Sequence, residues 1–146
     1  MIELNPQRSD ELVEELLKVW DASVRVTHLF LTEYDISSIT PYVCVGIDNT
    51  EKLFVVYEQN KAVGFMGLYK DKIEMLFLHP SCHRKGLGRK LVKLAISEHN
   101  IQFVDVNEQN THATDFYKAM GFIVFSRSEL DDGGNSFPIL HMQQQG

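Results

Sequence analysis

The chain has 146 residues, of which 44% are hydrophobic and 23% charged, a composition typical of one compact soluble domain. Fourteen Lys and Arg residues against twenty Asp and Glu give a formal net charge of -6, which opposes the attraction to phosphate backbones on which nucleic-acid binding depends. No apolar run approaches the roughly 18 residues of a membrane span. The first residues do not form a basic segment followed by an apolar one, which is the pattern of a secretion signal. We therefore expect a cytoplasmic protein with neither nucleic-acid nor membrane partners.

The cysteines and histidines predict neither a disulfide framework nor a metal site. Cys44 and Cys82 are too few for a framework and do not have metal-ligand spacing, so both are interpreted as reduced thiols. The histidines do not combine with cysteines or carboxylates at the usual spacing of zinc ligands. We therefore expect no bound metal.

Two helices are predicted in the first third of the chain. Apolar residues recur at helical spacing over about 10 to 22, after Ser9 or Asp10 as N-cap. Residues His28 to about Thr40 predict a second, shorter helix that ends before Pro41, because proline disfavours helix in the residue that precedes it.

The remaining elements alternate between strands and helices. Apolar runs separated by short polar turns predict strands at 53–58, 62–70, 73–78, 101–106, 122–125 and 137–142. Amphipathic patterns predict helices from Arg89 to about Asn100 and from Thr111 to Met120, the latter with Asn110 as N-cap and Gly121 as stop signal. The Gln-rich end is predicted to be a frayed tail. With a leading strand at the N-terminus, this order predicts one mixed α/β (α+β) domain over residues 1–146.

The segment HRKGLGRKL, residues 83–91, stands between a predicted strand and a predicted helix. The free backbone N–H groups of a helix start bind anions well, and glycines let phosphate oxygens approach the backbone. Basic residues on both sides add local positive charge to an acidic protein: Arg84, Lys85, Arg89 and Lys90. The segment predicts a phosphate-binding loop, with a plain flexible helix start as the alternative.

Two well-known phosphate loops do not fit these residues. A dinucleotide fold needs a third small residue where Leu91 stands, although Asp105 has a suitable spacing for a ribose contact. A nucleoside-triphosphate loop needs Lys and then Ser or Thr after its last glycine, whereas Arg89 and Lys90 follow Gly88. A pyrophosphate loop of another kind remains.

Two motifs carry a family resemblance that covers most of residues 73–125. IEMLFLHPSCHRKGLGRKLV resembles the acetyl-CoA motif of the GNAT superfamily of N-acetyltransferases, with His83 where the family usually has Arg or Gln. VNEQNTHATDFYKAMGF resembles the second family motif from Asn110 to Phe122. Residues 23–31, SVRVTHLFL, are similar to an early stretch of small bacterial GNAT proteins.

The resemblance implies a fold, a co-substrate and a binding site. It implies a mixed central sheet of about seven strands flanked by about four helices, and acetyl-CoA as co-substrate. A β-bulge in the strand before the loop is expected to free backbone N–H groups for the acetyl carbonyl and the pantetheine arm. The residues expected to bind acetyl-CoA are Leu76, Phe77, Leu78, His83, Arg84, Lys85, Gly86, Leu87, Gly88, Arg89 and Asn110.

The resemblance also places Tyr117 where the thiolate leaves, and a phenol can protonate a thiolate because their pKa values are comparable. Tyr117 is therefore the predicted general acid, with a packed core tyrosine as the alternative. The alternative for Asn110 is that it serves only as the N-cap of the helix.

Glu74 is the predicted general base, acting directly or through water, although it could equally be a surface charge. His28 is the rival base or a packed histidine. His28, Phe30 and Asn107 are the expected acceptor-site residues, with Glu108 beside them.

The expected activity is direct transfer of acetyl to a primary amine in a ternary complex, with a protein lysine or a small amine as acceptor. The alternative is an acyl-CoA-binding sensor without catalysis. The chain is expected to be a monomer or a homodimer.

Overall fold

The computed structural model describes residues 1–145, which form a seven-stranded mixed sheet and four α-helices, as expected from the sequence. The strands are β1 (Ile2–Leu4), β2 (Lys52–Glu58), β3 (Lys61–Tyr69), β4 (Lys72–Leu78), β5 (Phe103–Asn107), β6 (Phe122–Ser128) and β7 (Ile139–Gln144). The helices are α1 (Asp10–Thr27), α2 (Glu33–Asn49), α3 (Leu87–His99) and α4 (Thr111–Ala119), with a short 3-10 turn at Pro80–Cys82. Within residues 1–145, no helix is both long enough and apolar enough to cross a membrane.

The sheet has the order β1-β2-β3-β4-β5-β7-β6 and consists of two antiparallel halves. The halves meet where β4 runs parallel to β5, and this pairing covers only Lys72 with Phe103 and Ile73 with Val104. Beyond these two pairs the strands diverge. The sheet therefore opens into a gap between the second half of β4 and the second half of β5.

A hydrophobic core lies on each face of the sheet. Helices α1 and α2 cover one face over β2, β3 and β4, with Leu16, Trp20 and Ile47 among the buried residues. Helices α3 and α4 cover the other face, where Leu91 packs with residues of β4, β5 and β7. Burial of this apolar area, at roughly 25 cal/mol per Å², is the main driving force for the arrangement.

β4 contains a bulge that sets the direction of its side chains. Gly67 of β3 faces Met75, but the next residue, Leu68, faces Ile73, so Glu74 is the extra residue. As a result Ile73 and Leu76 both pack in the core under α3 and α4, although an unbroken strand would send them to opposite faces. The expected bulge is present, two residues before Leu76.

The prediction that the second helix ends before Pro41 is wrong. Helix α2 begins later, with Thr32 and Asp35 forming a capping box, and it continues through Pro41 to Asn49. Ile36 on one side of the proline and Val43 on the other are both buried in the core that α2 shares with α1. Burial on both sides of Pro41 outweighs the local preference of proline to end the helix.

The prediction of a frayed Gln-rich tail is also wrong as far as residue 144. Gln143 and Gln144 belong to β7 and pair with Ile123 and Phe122 of β6. The side-chain amide of Gln144 donates to the carbonyl of Met120 at 3.0 Å, which ties the strand to the end of α4. Backbone pairing holds these polar residues in the strand, and a hydropathy pattern does not detect backbone pairing.

Replacing Pro41 by alanine tests the explanation for α2. A proline in a helix interior lowers the free energy of unfolding by about 3 kcal/mol. Proline also restricts the unfolded chain, which raises the free energy of unfolding by about 1 kcal/mol, and the alanine variant loses this smaller gain. We expect Pro41→Ala to raise the free energy of unfolding by about 2 kcal/mol in urea titrations. A destabilised variant would contradict this and show that α2 needs the proline for its packing.

His28, which caps the end of α1, makes stability depend on pH. Burial lowers its pKa to about 4. Below about pH 6.5 the unfolded chain takes up a proton that the folded chain does not, so stability is complete above that pH and is lost as pH falls toward 4. We expect His28→Gln to reduce this loss in urea titrations across the same pH window. The exposed His112 serves as a control, and an equal effect of His112→Gln would contradict the assignment.

Candidate functional site

The gap between β4 and β5 exposes unpaired backbone groups. The N–H of His79 donates to the carbonyl of Val63 at 2.7 Å. Because donation alternates along an antiparallel pair, Phe77 also donates toward β3, whereas the N–H groups of Leu76 and Leu78 point away from β3, into the gap. Two of the three expected backbone groups thus face the gap, and Phe77 instead stacks its ring 5.7 Å from that of Phe65.

The glycine loop lies at the end of this gap. Gly86 is the N-cap of α3 with φ 76°, a left-handed conformation that glycine adopts without strain. No side chain caps this helix start, and a Cβ built on Gly86 would meet nothing within 4 Å. The loop therefore presents free N–H groups to open space, as an anion site requires. The helix begins at Leu87, two residues before the predicted start.

Gly88 lies where three elements meet, and a Cβ there would make ordinary van der Waals contacts. A Cβ at this position would lie 3.5 Å from Leu78 Cδ1 and 3.6 Å from Phe116 Cζ. The first turn of α3 therefore lies directly against the end of β4 and against α4. This contact brings the glycine loop, β4 and α4 together around one cleft.

Helix α4 supplies Asn110 and Tyr117, and the predicted cap is confirmed. The side chain of Asn110 accepts from the N–H of Ala113 at 3.1 Å. Tyr117 is 7% exposed, and its ring lies 5.1 Å from Phe116 and 5.7 Å from Phe122. Burial raises the pKa of the Tyr117 phenol, so the hydroxyl is protonated at neutral pH. The hydroxyl therefore carries a proton to donate, although burial makes it a weaker acid than a free tyrosine, and it cannot act there as a phenolate base.

A cavity of about 540 Å³ joins three segments that are distant in sequence: the end of α1, the loop before α3 and the start of α4. It is lined by Val26, Thr27, Leu29, Phe30, His83, Gln109, Asn110, Thr111 and His112. Of the expected site residues, Phe30, His83 and Asn110 therefore meet at one place. The gap and this cavity together form the candidate active site.

An aromatic chain forms the wall next to the cavity. The rings of His28 and Phe30 are 5.4 Å apart, and that of Phe137 lies 5.5 Å beyond Phe30. His28 Nδ1 is 2.8 Å from the Thr27 hydroxyl, and with its lowered pKa the imidazole is neutral at neutral pH. The sequence pattern predicts a strand from Phe137, but β7 begins at Ile139, and the contact of Phe137 with Phe30 follows from tertiary packing.

The other expected polar residues lie outside the cavity lining. Glu74 is exposed at the bulge of β4. Asn107 ends β5, and its carbonyl accepts from the N–H of Asn110 at 3.0 Å. Glu108 forms a two-bonded ion pair with Arg127, with distances of 2.5 and 3.0 Å, and the hydrogen bond from Arg127 lowers the pKa of its carboxyl.

One polar network was missed by the sequence interpretation. His141 Nδ1 lies 2.7 Å from Asp105 Oδ1, and its Nε2 lies 2.7 Å from Ser128 Oγ. Lys72 Nζ lies 2.5 Å from the other oxygen of Asp105. The spacing of Asp105 in the sequence suits only a ribose contact, and no local pattern indicates that these four residues meet.

The thiols and potential metal ligands form no further site in the described chain. Cys44 and Cys82 are both free thiols. Within residues 1–145, no three His, Cys, Asp or Glu side chains come together in a group able to hold a metal ion.

Comparison with known proteins agrees with the fold. The sequence model of the acetyltransferase (GNAT) domain matches residues 39–143. The peptidyl-lysine N-acetyltransferase YjaB of Salmonella typhimurium is 36% identical over 142 residues, which cover 97% of each chain. The solution structure of apo YjaB from Escherichia coli superposes with a TM-score of 0.87 at 37% identity and covers 100% of this chain and 99% of that one.

A more distant structure, PaiA N-acetyltransferase from Thermoplasma acidophilum in complex with coenzyme A, shares the fold with a TM-score of 0.71 at 20% identity, covering 100% of this chain and 99% of that one. Together with the two family motifs, the family match and the close relatives settle the classification. The chain belongs to the GNAT family of acetyltransferases.

Proposed function

We propose that residues 1–146 form a single-domain enzyme that transfers acetyl from acetyl-CoA directly to the side-chain amine of a peptidyl lysine. The observation that carries the proposal is the gap between β4 and β5, with two free N–H groups along one wall and the glycine loop at its end. Lysine is the preferred acceptor because relatives at 36% and 37% identity are named as peptidyl-lysine N-acetyltransferases.

The donor is held mainly by backbone. The pyrophosphate of acetyl-CoA is proposed to bind the free N–H groups of residues 86–89, with Arg84 and Arg89 supplying positive charge around them. Lys85 adds less, because its Nζ lies 3.6 Å from a carboxylate oxygen of Glu58. His83 lines the cavity where the family usually has Arg or Gln, so it adds a side-chain contact and does not carry the anion site. Asn110 lines the same cavity and is proposed to contact the pantetheine arm.

The chemistry requires an oxyanion donor, a proton for the thiolate and an acceptor for the amine's proton. The N–H groups of Leu76 and Leu78 are proposed to bind the carbonyl oxygen and to stabilise its negative charge during attack. Tyr117, held protonated by burial, donates to the leaving thiolate. Glu74 is proposed to accept a proton from the amine through water, since its exposed carboxylate lies on the same strand.

The acceptor is proposed to enter along the wall formed by His28 and Phe30, toward Asn107 at the end of β5. Apolar rings suit the methylene stem of a lysine, and the acidic net charge attracts its ammonium group. A neutral His28 adds no repulsion to this cation. A cytoplasmic location and a monomeric or homodimeric state stay predictions.

A sensor that binds acyl-CoA without turnover is not favoured. The relatives that match nearly the whole chain are named as enzymes. The tyrosine of the second family motif is present and protonated, and a pure binding module would not need it.

Replacing Gly86 tests the donor site. An alanine there costs about 1 to 2 kcal/mol of backbone strain at positive φ and places a methyl group in the space proposed for the anion. Acetyl-CoA at about 100 times its Kd should stabilise the native chain by roughly 2.7 kcal/mol. We expect Gly86→Ala to lose most of this stabilisation in thermal unfolding.

Gly134 provides a matched control, because it has φ 78° and also meets nothing within 4 Å. Gly134→Ala should suffer similar strain and retain the full stabilisation by acetyl-CoA. Equal losses in the two variants would refute an anion site at Gly86, and no stabilisation of the unchanged chain would refute acetyl-CoA as donor.

Replacing Tyr117 by phenylalanine tests the catalytic assignment. Loss of a general acid should lower kcat for acetylation of a lysine peptide roughly a hundredfold. Stabilisation by acetyl-CoA should stay unchanged because backbone groups carry the binding. Tyr42→Phe is the control, since Tyr42 is 78% exposed on α2 and should leave kcat unaltered. A fully active Tyr117→Phe variant would remove Tyr117 from the mechanism.

A further inference from the structure

Three side chains form a hydrogen-bonded array, Ser128–His141–Asp105, across β6, β7 and β5. Asp105 pairs directly with His141 in the register of β5 and β7. Val104 and Val106, on either side of Asp105, are buried under α3 and α4, so Asp105 points to the opposite face of the sheet. The array therefore lies on the face that carries α1 and α2 on the other half of the sheet.

Within the described chain, the core under α1 and α2 does not extend over β5, β7 and β6 on this face, because it draws its strand residues from β2, β3 and β4. The side chains of His141 and Asp105 are 26% and 27% exposed, so both are accessible to solvent. Asp105 also lies immediately after the last residue pair that joins β4 to β5, at the inner end of the gap.

The hydrogen bonds fix the proton positions in the array. An ionised Asp105 only accepts, so Nδ1 of a neutral His141 carries the hydrogen and Nε2 faces Ser128 as an acceptor. Ser128 can then donate to His141 and accept a proton from a group in front of it. A carboxylate behind the imidazole stabilises the imidazolium that forms when Nε2 takes up a proton.

Several charged groups surround the array. Burial lowers the pKa of Lys72, but its hydrogen bond to Asp105 and the charges of Asp105, Glu74 and Asp132 raise it above the ordinary value, so Lys72 stays a cation. Phe125 lies against the other side of His141, at 6.4 Å between ring centroids. Arg127, next to Ser128 on β6, forms an ion pair with Glu108.

Acetylation of a lysine requires the removal of two protons from its nitrogen. One leaves the ammonium before attack, and the second leaves as the carbon–nitrogen bond forms and the carbon–sulfur bond breaks. The thiolate regains only one proton, from Tyr117, which is reprotonated by solvent, so one proton is released overall. A single base at Glu74 would have to act twice in each turnover.

Resting on the proposed function, we propose that the Ser128–His141–Asp105 array accepts the first of these protons. The ammonium of the acceptor lysine gives its proton to Ser128 Oγ as the Ser128 hydrogen passes to His141 Nε2. Asp105 stabilises the resulting imidazolium, which then returns its proton to solvent. Glu74 takes the second proton during attack.

The pH profile of kcat at saturating acetyl-CoA and lysine peptide tests this assignment. In the unchanged chain kcat should fall toward acid pH, where the array no longer accepts a proton. His141→Gln retains hydrogen-bonding capacity without a titrating group, so kcat near pH 8 should fall about a hundredfold and this acid limb should disappear. Stabilisation by acetyl-CoA should be unchanged.

Two serines on β6 provide a matched pair. Ser128→Ala should lower kcat and keep the acid limb, because His141 is still present. Ser126 is opposite His141 in the register of β6 and β7 but is exposed, and Ser126→Ala should behave as the unchanged chain. A purely structural role would instead lower kcat equally at every pH and leave the limb in place.

The outcomes separate the two proposals. A chain that binds acetyl-CoA but acetylates no amine refutes the proposed function. If the chain is active, and the acid limb of its pH profile is still present in His141→Gln but absent in Glu74→Gln, the role of the array is refuted and the proposed function is not. If His141→Gln does not fold, Asp105→Asn decides, because an imidazolium without its carboxylate forms only at lower pH. The limb should then move to lower pH, and an unmoved limb overturns the proposal.

Discussion

The cleft of this protein depends on the brevity of one strand pairing. β4 and β5 share two residue pairs, and everything past Ile73 and Val104 is free to separate. A longer parallel pairing would satisfy the N–H groups of Leu76 and Leu78 with carbonyls of β5, and no gap would exist. The sheet is held together elsewhere, by antiparallel pairing within each half and by the two cores. Unpaired backbone is thus confined to the place where a substrate can satisfy it.

Local signals in the sequence explain why much of the fold could be predicted. Asn110 and Gly121 mark the two ends of α4 through interactions within a few residues, and the apolar runs of β2 to β4 are joined by short turns. The glycine loop was recognisable because the helix start at Gly86 has a positive φ, which favours glycine. The overall architecture followed from the order of these elements and from the family resemblance.

The features that escaped prediction depend on contacts between distant residues. Helix α2 continues past Pro41 because Val43 and Ile47 are buried against another helix. His141 meets Asp105, 36 residues away, because β7 is inserted between β5 and β6 in the sheet. The contact between Phe30 and Phe137 likewise requires a loop of the second half of the sheet to reach the end of α1.

The alternation along β4 has a consequence for how such a protein can diverge. The N–H groups of Leu76 and Leu78 face the gap, while their side chains pack against the core under α3 and α4. Mutations of these side chains are therefore selected for packing, and they leave the main-chain donors in position. The wall at Phe30 and Phe137 is built from side chains, so a single substitution there alters what it can contact. Recognition of the donor and recognition of the acceptor can thus evolve at different rates within one small domain.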